Sequence, residues 1–173
     1  MKLYDDGEFT ALNWVKPALD ATLAQARDAL ETYVDEPYNL APMRGCAAHL
    51  HQVQGTLRMV ELYGAAMVVE NMERLAEALV GDGVRQREEG YSVLMRGMVQ
   101  LPDYLERLQG GHKDIPIVLL PLLNELRAAR GETGLSESVL FAPDLQRPLP
   151  DALTADATPS RQSREASAAP LLA

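Results

Sequence analysis

Apolar residues recur through most of this sequence at alternating spacings of three and four, the period of an amphipathic α-helix. Five stretches keep this pattern, and segments that contain glycine or proline separate them. They are 9–34, 43–63, 65–80, 85–108 and 114–130. No stretch of comparable length alternates with the period of a β-strand. We therefore predict an all-α protein whose helices pack as an antiparallel bundle.

Single residues predict where these helices are interrupted. Pro17 is expected to kink or restart the first helix, and Gly64 to mark the turn before the third. A glycine of segment 81–83 is expected to close the third helix in a left-handed conformation. Asp114 is expected to cap the fifth helix, inside which Pro121 would remove one backbone hydrogen bond.

The helical period ends after residue 131. Segment 136–145 still contains consecutive apolar residues, which we expect to pack back onto the bundle. Segment 146–173 is rich in proline, alanine, serine and threonine, the composition of a flexible linker. We predict a helical domain over 1–145, a flexible tail over 146–173, and a longer protein of which this chain is the front part.

Composition and charge exclude several classes of function. The net charge is −9, so the surface repels phosphate backbones and nucleic-acid binding is not expected. The acidic first ten residues do not form a signal peptide, and no apolar run is long enough to cross a bilayer. The single cysteine, Cys46, falls in an apolar stripe, where we expect it to be buried. These features favour a cytoplasmic protein.

The residues with candidate chemistry lie on the second helix. His51 follows the core position Leu50, so its side chain is rotated by about 100° from the apolar stripe. Gln54, Gly55 and Arg58 follow at three, four and seven residues and share its face. A glycine inside a helix costs about 1 kcal/mol relative to alanine. Either tight helix packing or the close approach of another molecule to His51 would explain it.

A histidine can accept a phosphoryl group when one ring nitrogen is exposed and a carboxylate holds the other. Other chemistry has little support, since the sequence lacks a glycine-rich phosphate loop, a nucleophile elbow and a Cys/His cluster with metal-ligand spacing. His49 is expected to be structural and His112 to lie in a plain loop. We predict no cofactor or metal, no ATP binding, and therefore no enzyme activity of the chain by itself.

The second and third helices resemble the histidine phosphotransfer (HPt) domain, including the P1 domain of CheA-type kinases. His51 falls on the phosphoacceptor of that family, Gly55 on its glycine, and M-E-R-L at 72–75 on its second-helix signature. The resemblance implies a four-helix bundle in which Glu73 orients His51 for phosphoryl transfer.

Longer segments resemble the amino-terminal region of the ChpA/PilL family, the hybrid histidine kinases of the type IV pilus (twitching motility) chemosensory system. They are F-T-A-L-N-W-V-K, H-Q-V-Q-G-T-L-R-M-V-E-L-Y-G-A-A, V-L-L-P-L-L-N-E-L-R-A-A-R-G-E and L-F-A-P-D-L. The pilus scaffold FimL carries a related version. The resemblance implies an additional C-terminal helix. It also implies a kinase catalytic core, CheY-like receiver domains and a pilus-pole scaffold protein as partners.

The chain departs from the HPt pattern beside the histidine. Gln54 stands where the family carries lysine, which removes a positive charge that stabilises phosphoryl oxygens. Arg58, one turn beyond Gly55, is the candidate to supply that charge. Two functions stay open. In the first, His51 accepts a phosphoryl group and passes it to a receiver aspartate. In the second, a silent docking domain recruits the kinase to pilus-pole proteins.

Overall fold

The computed structural model describes residues 8–141, with side-chain environments from 10 to 139, and this part of the chain is helical without strands. Its α-helices are α1 (Glu8–Asp35), α2 (Ala41–Met59), α3 (Tyr63–Val80), α4 (Arg87–Gln109), α5 (Leu120–Ala129) and α6 (Glu137–Phe141). A 3₁₀ helix, Pro116–Leu119, leads directly into α5. The all-α prediction is confirmed. The predicted tail 146–173 lies outside the described residues.

Helices α1 to α4 form the bundle, because each carries an apolar stripe and short connections reverse the chain between them. α1 packs against α2 and α4, and α3 completes the ring between those two helices. α5 packs outside the ring, against α3 and α4. The largest fully buried side chains come from all four helices of the ring: Leu12, Leu19, Leu30, Tyr33, Met43, Leu50, Leu57, Met72, Leu75, Leu79, Leu94 and Leu101. The fifth helix is thus an addition to a four-helix core.

The α2–α3 turn differs from its prediction. Gly64 is not the turn residue but lies buried inside α3. A Cβ atom added there would come within 2.6 Å of the Cβ of Pro116, so the close approach of the 3₁₀ helix requires glycine. The chain reverses instead at residues 60–62, where Glu61 adopts a left-handed conformation with φ of 63°.

The C-terminal end of α3 also differs from its prediction. Neither glycine of segment 81–83 is left-handed, and Gly81 has φ of −91°. The guanidinium of Arg87, from the start of α4, donates instead to the carbonyl of Leu79 at 2.9 Å and 3.0 Å. The predicted left-handed cap at 81–83 is therefore wrong, because a side chain from the next helix satisfies the terminal carbonyl groups.

Prolines disturb these helices less than predicted. α1 is continuous through Pro17. Pro121 lies in the first turn of α5, where the backbone N–H has no partner within the helix, so no hydrogen bond is lost. Asp114 does not cap the fifth helix, because its carboxylate accepts a hydrogen bond from the hydroxyl of Tyr104 and Ile115 precedes the 3₁₀ helix.

The segment after α5 folds back on it. The side chain of Asn124 accepts from the backbone N–H of Leu135 at 2.7 Å and donates to its carbonyl at 3.1 Å. α6 then contacts the 3₁₀ helix. Residues 136–139 are nevertheless exposed, so the packing of segment 136–145 onto the bundle stays a prediction, and its last residues lie outside the described part of the chain.

Candidate functional site

α2 presents His51 to solvent because its neighbours in the apolar stripe are turned inward. Leu50 and Val53 are buried, whereas the His51 side chain is 74% exposed. Its Nδ1 lies 2.9 Å from Oε1 of Glu73 on α3. The Glu73 side chain is only 16% exposed, so it is held between the helices. Because a carboxylate only accepts, Nδ1 carries the proton of this hydrogen bond, and Nε2 of the neutral ring keeps its lone pair.

Gln54 lies one turn beyond His51 and connects Glu73 to Arg58. Its carboxamide satisfies both neighbours in one orientation. The nitrogen then donates to Oε2 of Glu73 at 3.2 Å, and the oxygen accepts from Nη2 of Arg58 at 3.3 Å. The two carboxylate oxygens of Glu73 are therefore divided between His51 and Gln54.

Gly55 faces open space. No atom outside its own helix backbone and chain neighbours lies within 4 Å of the position that a Cβ would occupy. Of the two explanations for a glycine in this helix, tight packing therefore fails. The helix surface next to His51 is open to an approaching molecule.

The spacing of residues along α2 did not indicate the second half of this surface, which comes from α3. Nη2 of Arg58 lies 3.4 Å from Oε2 of Glu70, and Nη2 of Arg74 donates to Oε1 of Glu70 at 2.7 Å. Glu70 and Arg74 are four residues apart on one helix, a spacing that predicts an ion pair. Their contact with Arg58 depends on the register between α2 and α3, which no local pattern reveals.

Together these side chains form a continuous polar surface, which we call the His51 face. It consists of His51, Glu73, Gln54, Gly55, Arg58, Glu70 and Arg74. At His51 and Glu73 the face continues into a shallow groove between α2 and α3, which is also lined by Arg44, Ala48, Glu77 and Val80. The face combines an exposed histidine ring with exposed cations, an arrangement suited either to phosphoryl acceptance or to contact with another protein.

The remaining histidines and the cysteine do not join this surface. His49 is partly buried on the other flank of α2, and the ring of His112 makes a hydrogen bond with the carbonyl of Arg107 at 3.0 Å. Cys46 is fully buried, and burial raises the pKa of its thiol to about 12. The thiol is therefore protonated and inaccessible as a nucleophile.

The described residues contain neither a metal-binding cluster nor a helix that could span a membrane. Among residues 8–141, no group of three or more histidine, cysteine, aspartate or glutamate side chains is placed to hold a metal ion. In the same part of the chain, no helix combines the length and apolarity that crossing a membrane would need.

Comparison with known proteins relates this bundle to one family. Over 151 residues the chain is 32% identical to the scaffold protein FimL of Pseudomonas aeruginosa (strain PAO1). The match covers 87% of this chain, which spans only 27% of the relative's length. No solved structure matches. The profile described as FimL C-terminal domain matches residues 10–120, which include most of α1, all of α2 to α4 and the 3₁₀ helix. The chain therefore belongs to the FimL C-terminal domain family.

Proposed function

We propose that this domain is a protein-docking module of a type IV pilus chemosensory assembly, and that the His51 face is its docking surface. The family relative is named as a scaffold protein, in agreement with the prediction that the chain is not an enzyme by itself. The pilus context rests on the sequence resemblance to the ChpA/PilL kinases. The proposed partners are the kinase catalytic core, its receiver domains and a scaffold protein at the cell pole, in the cytoplasm.

The observation that carries this proposal is the open space over Gly55. Glycine within a helix costs about 1 kcal/mol relative to alanine, and no packing contact at this position offsets that cost. A partner backbone or side chain laid against α2 would need this space. The neighbouring side chains support the proposal because their hydrogen bonds hold them in place before binding, which lowers the entropy lost on association.

Gly55 and Gly45 give a matched test of the docking surface, because both lie on α2 and both face open space. Gly55 is rotated by about 40° from His51 around the helix and Gly45 by about 120°, so only the first lies on the His51 face. The experiment measures binding of the whole chain to the purified kinase core and receiver domain of the same organism's type IV pilus system. Isothermal titration calorimetry supplies the dissociation constants.

We expect Gly55→Gln to weaken binding by about tenfold or more, because a long side chain blocks the centre of the contact. Gly45→Gln should bind within about threefold of the unmodified chain, because position 45 lies off the His51 face. Equal affinities of Gly55→Gln and the unmodified chain would contradict the proposal. So would the absence of binding to both partners.

A second function, phosphoryl acceptance by His51, is favoured by the contact between His51 and Glu73 at 2.9 Å. In this reaction Nε2 attacks the phosphorus of an aspartyl phosphate or of ATP. The P–N bond forms as the P–O bond to the leaving carboxylate or ADP breaks. The Nδ1 proton stays between the ring and Glu73, whose carboxylate stabilises the positive charge that develops on the imidazole.

This second function has its own test. The whole chain is incubated with the active kinase core and radiolabelled ATP, and acid-labile phosphate on the chain is measured. Phosphoryl acceptance requires labelling of the unmodified chain and none of His51→Gln. Equal absence of label in both chains, with a kinase that labels its own substrate, would leave docking as the function of the domain.

A further inference from the structure

Position 54 contains an amide where the HPt pattern has a cation, and the surroundings of that amide indicate how the charge is replaced. In the amide orientation that satisfies both neighbours, Gln54 donates to Oε2 of Glu73 at 3.2 Å and accepts from Nη2 of Arg58 at 3.3 Å. The same Nη2 lies 3.4 Å from Oε2 of Glu70, and Oε1 of Glu70 accepts from Nη2 of Arg74 at 2.7 Å. A chain of contacts therefore runs from the imidazole of His51 to the guanidinium of Arg58.

Arg58 remains available in this arrangement. Its side chain is 56% exposed, and the contacts described for it use a single nitrogen, Nη2. A guanidinium has five N–H donors in a planar fork that matches the oxygens of a phosphoryl group. Gln54 and Glu70 hold the group on the face that His51 shares, where the surface over Gly55 is open.

We propose that Arg58 is the cation that meets the oxygens of a phosphoryl group arriving at His51, and that Gln54 is the residue that positions it. Gln54 has a second effect, because its contact with Oε2 of Glu73 leaves Oε1 for Nδ1 of His51. The inference rests on the second function proposed above, phosphoryl acceptance. It assigns the substrate as a phosphoryl donor whose charge the arginine stabilises in the transition state.

Phosphoramidate tests this without any partner protein. Nε2 of His51 attacks the phosphorus of the zwitterionic donor, a new P–N bond forms, and the donor's own P–N bond breaks. Its protonated nitrogen leaves as neutral ammonia with the bonding electron pair. The whole chain is treated at constant pH, and the rate of phosphohistidine formation is followed by intact mass and ³¹P NMR. Each variant is first shown to keep its helical circular dichroism.

We expect Arg58→Gln and Gln54→Ala each to slow labelling of His51 by about tenfold, the effect of losing one charge-assisted hydrogen bond in the transition state. Arg58→Lys should label faster than Arg58→Gln but more slowly than the unmodified chain, because it keeps the charge and loses the planar fork. The double variant Gln54→Lys with Arg58→Gln should recover the rate, since it returns a cation to position 54. A merely structural role of Arg58 would not give this recovery.

Arg27→Gln is the matched control, because Arg27 on α1 is a similarly exposed arginine in an ion pair with Glu31. It should label at the unmodified rate, and His51→Gln should not label. Unchanged labelling of Arg58→Gln and Gln54→Ala, or no recovery in the double variant, would overturn the inference while leaving His51 a phosphoacceptor. No label on the unmodified chain would overturn both. The docking proposal is unaffected, because calorimetry tests it separately.

Discussion

Gly55 and Gly64 lie on neighbouring helices in opposite environments, and the same substitution should change stability in opposite directions. Gly55→Ala should raise the free energy of unfolding by about 1 kcal/mol, because alanine has the higher helix propensity and meets open space. Gly64→Ala should lower it by about 1–3 kcal/mol, because the added methyl collides with Pro116 at 2.6 Å. Urea unfolding followed by circular dichroism measures both. Changes of the same sign would contradict the packing described for the two positions.

Cys46 predicts an alkaline loss of stability. Burial raises its thiol pKa from 9.0 to about 12, so between these values the folded chain keeps a proton that the unfolded chain releases. The stabilising contribution is complete below pH 9 and decreases as the pH rises, by about 1.4 kcal/mol between pH 7.5 and 10. At pH 7.5 the Cys46→Ala chain should have a lower free energy of unfolding than the unmodified chain. Between pH 7.5 and 10, however, that free energy should decrease by about 1.4 kcal/mol less than it does for the unmodified chain. Parallel pH profiles would contradict this assignment.

The α2–α3 turn contains a residue in a strained backbone conformation. Glu61 adopts φ of 63°, a conformation that costs a non-glycine residue about 1 kcal/mol. Glu61→Gly should therefore raise the free energy of unfolding by about 0.5–1 kcal/mol, although glycine also gives the unfolded chain more freedom. Glu36→Gly, at an exposed position without positive φ, is the control and should not stabilise. A destabilised Glu61→Gly chain, measured by urea unfolding, would show that the turn is relaxed.

The helices themselves could be predicted from the sequence, because a stripe at spacings of three and four depends only on residues close in the chain. The contacts that form their ends could not. Gly64 is required because Pro116 packs against it, and the end of α3 is formed by a hydrogen bond from Arg87. The carboxylate of Asp114 accepts a hydrogen bond from Tyr104 instead of capping a helix. Each of these partners comes from another element, so local signals such as glycine and aspartate predicted the wrong role.

The residues of the His51 face could likewise be predicted only in part. The spacing of His51, Gln54, Gly55 and Arg58 along one helix placed them on a common face. Glu73 came only from the resemblance to HPt domains, because its distance from His51 depends on how α3 lies against α2. The roles of Glu70 and Arg74 needed the structure, since their link to Arg58 crosses between helices.

At the scale of the whole molecule, the His51 face differs in charge from the rest of the chain. The protein has a net charge of −9, whereas the hydrogen-bonded network has Arg58 and Arg74 opposite Glu70 and Glu73. The negative surface repels other acidic partners, but this face does not add to the repulsion. The acidic chain thus has one surface on which charge does not oppose docking.

NMR titration locates partner binding on the His51 face residue by residue. The ¹⁵N-labelled chain is titrated with the unlabelled receiver domain and, separately, with the kinase core of the same pilus system. Binding at this face should give saturable shifts in at least one titration that cluster at residues 51–58 of α2 and 70–74 of α3. The shifts should weaken in Gly55→Gln but not in Gly45→Gln. Shifts confined to α1 or α5, or no saturable shift with either partner, would contradict binding at this face.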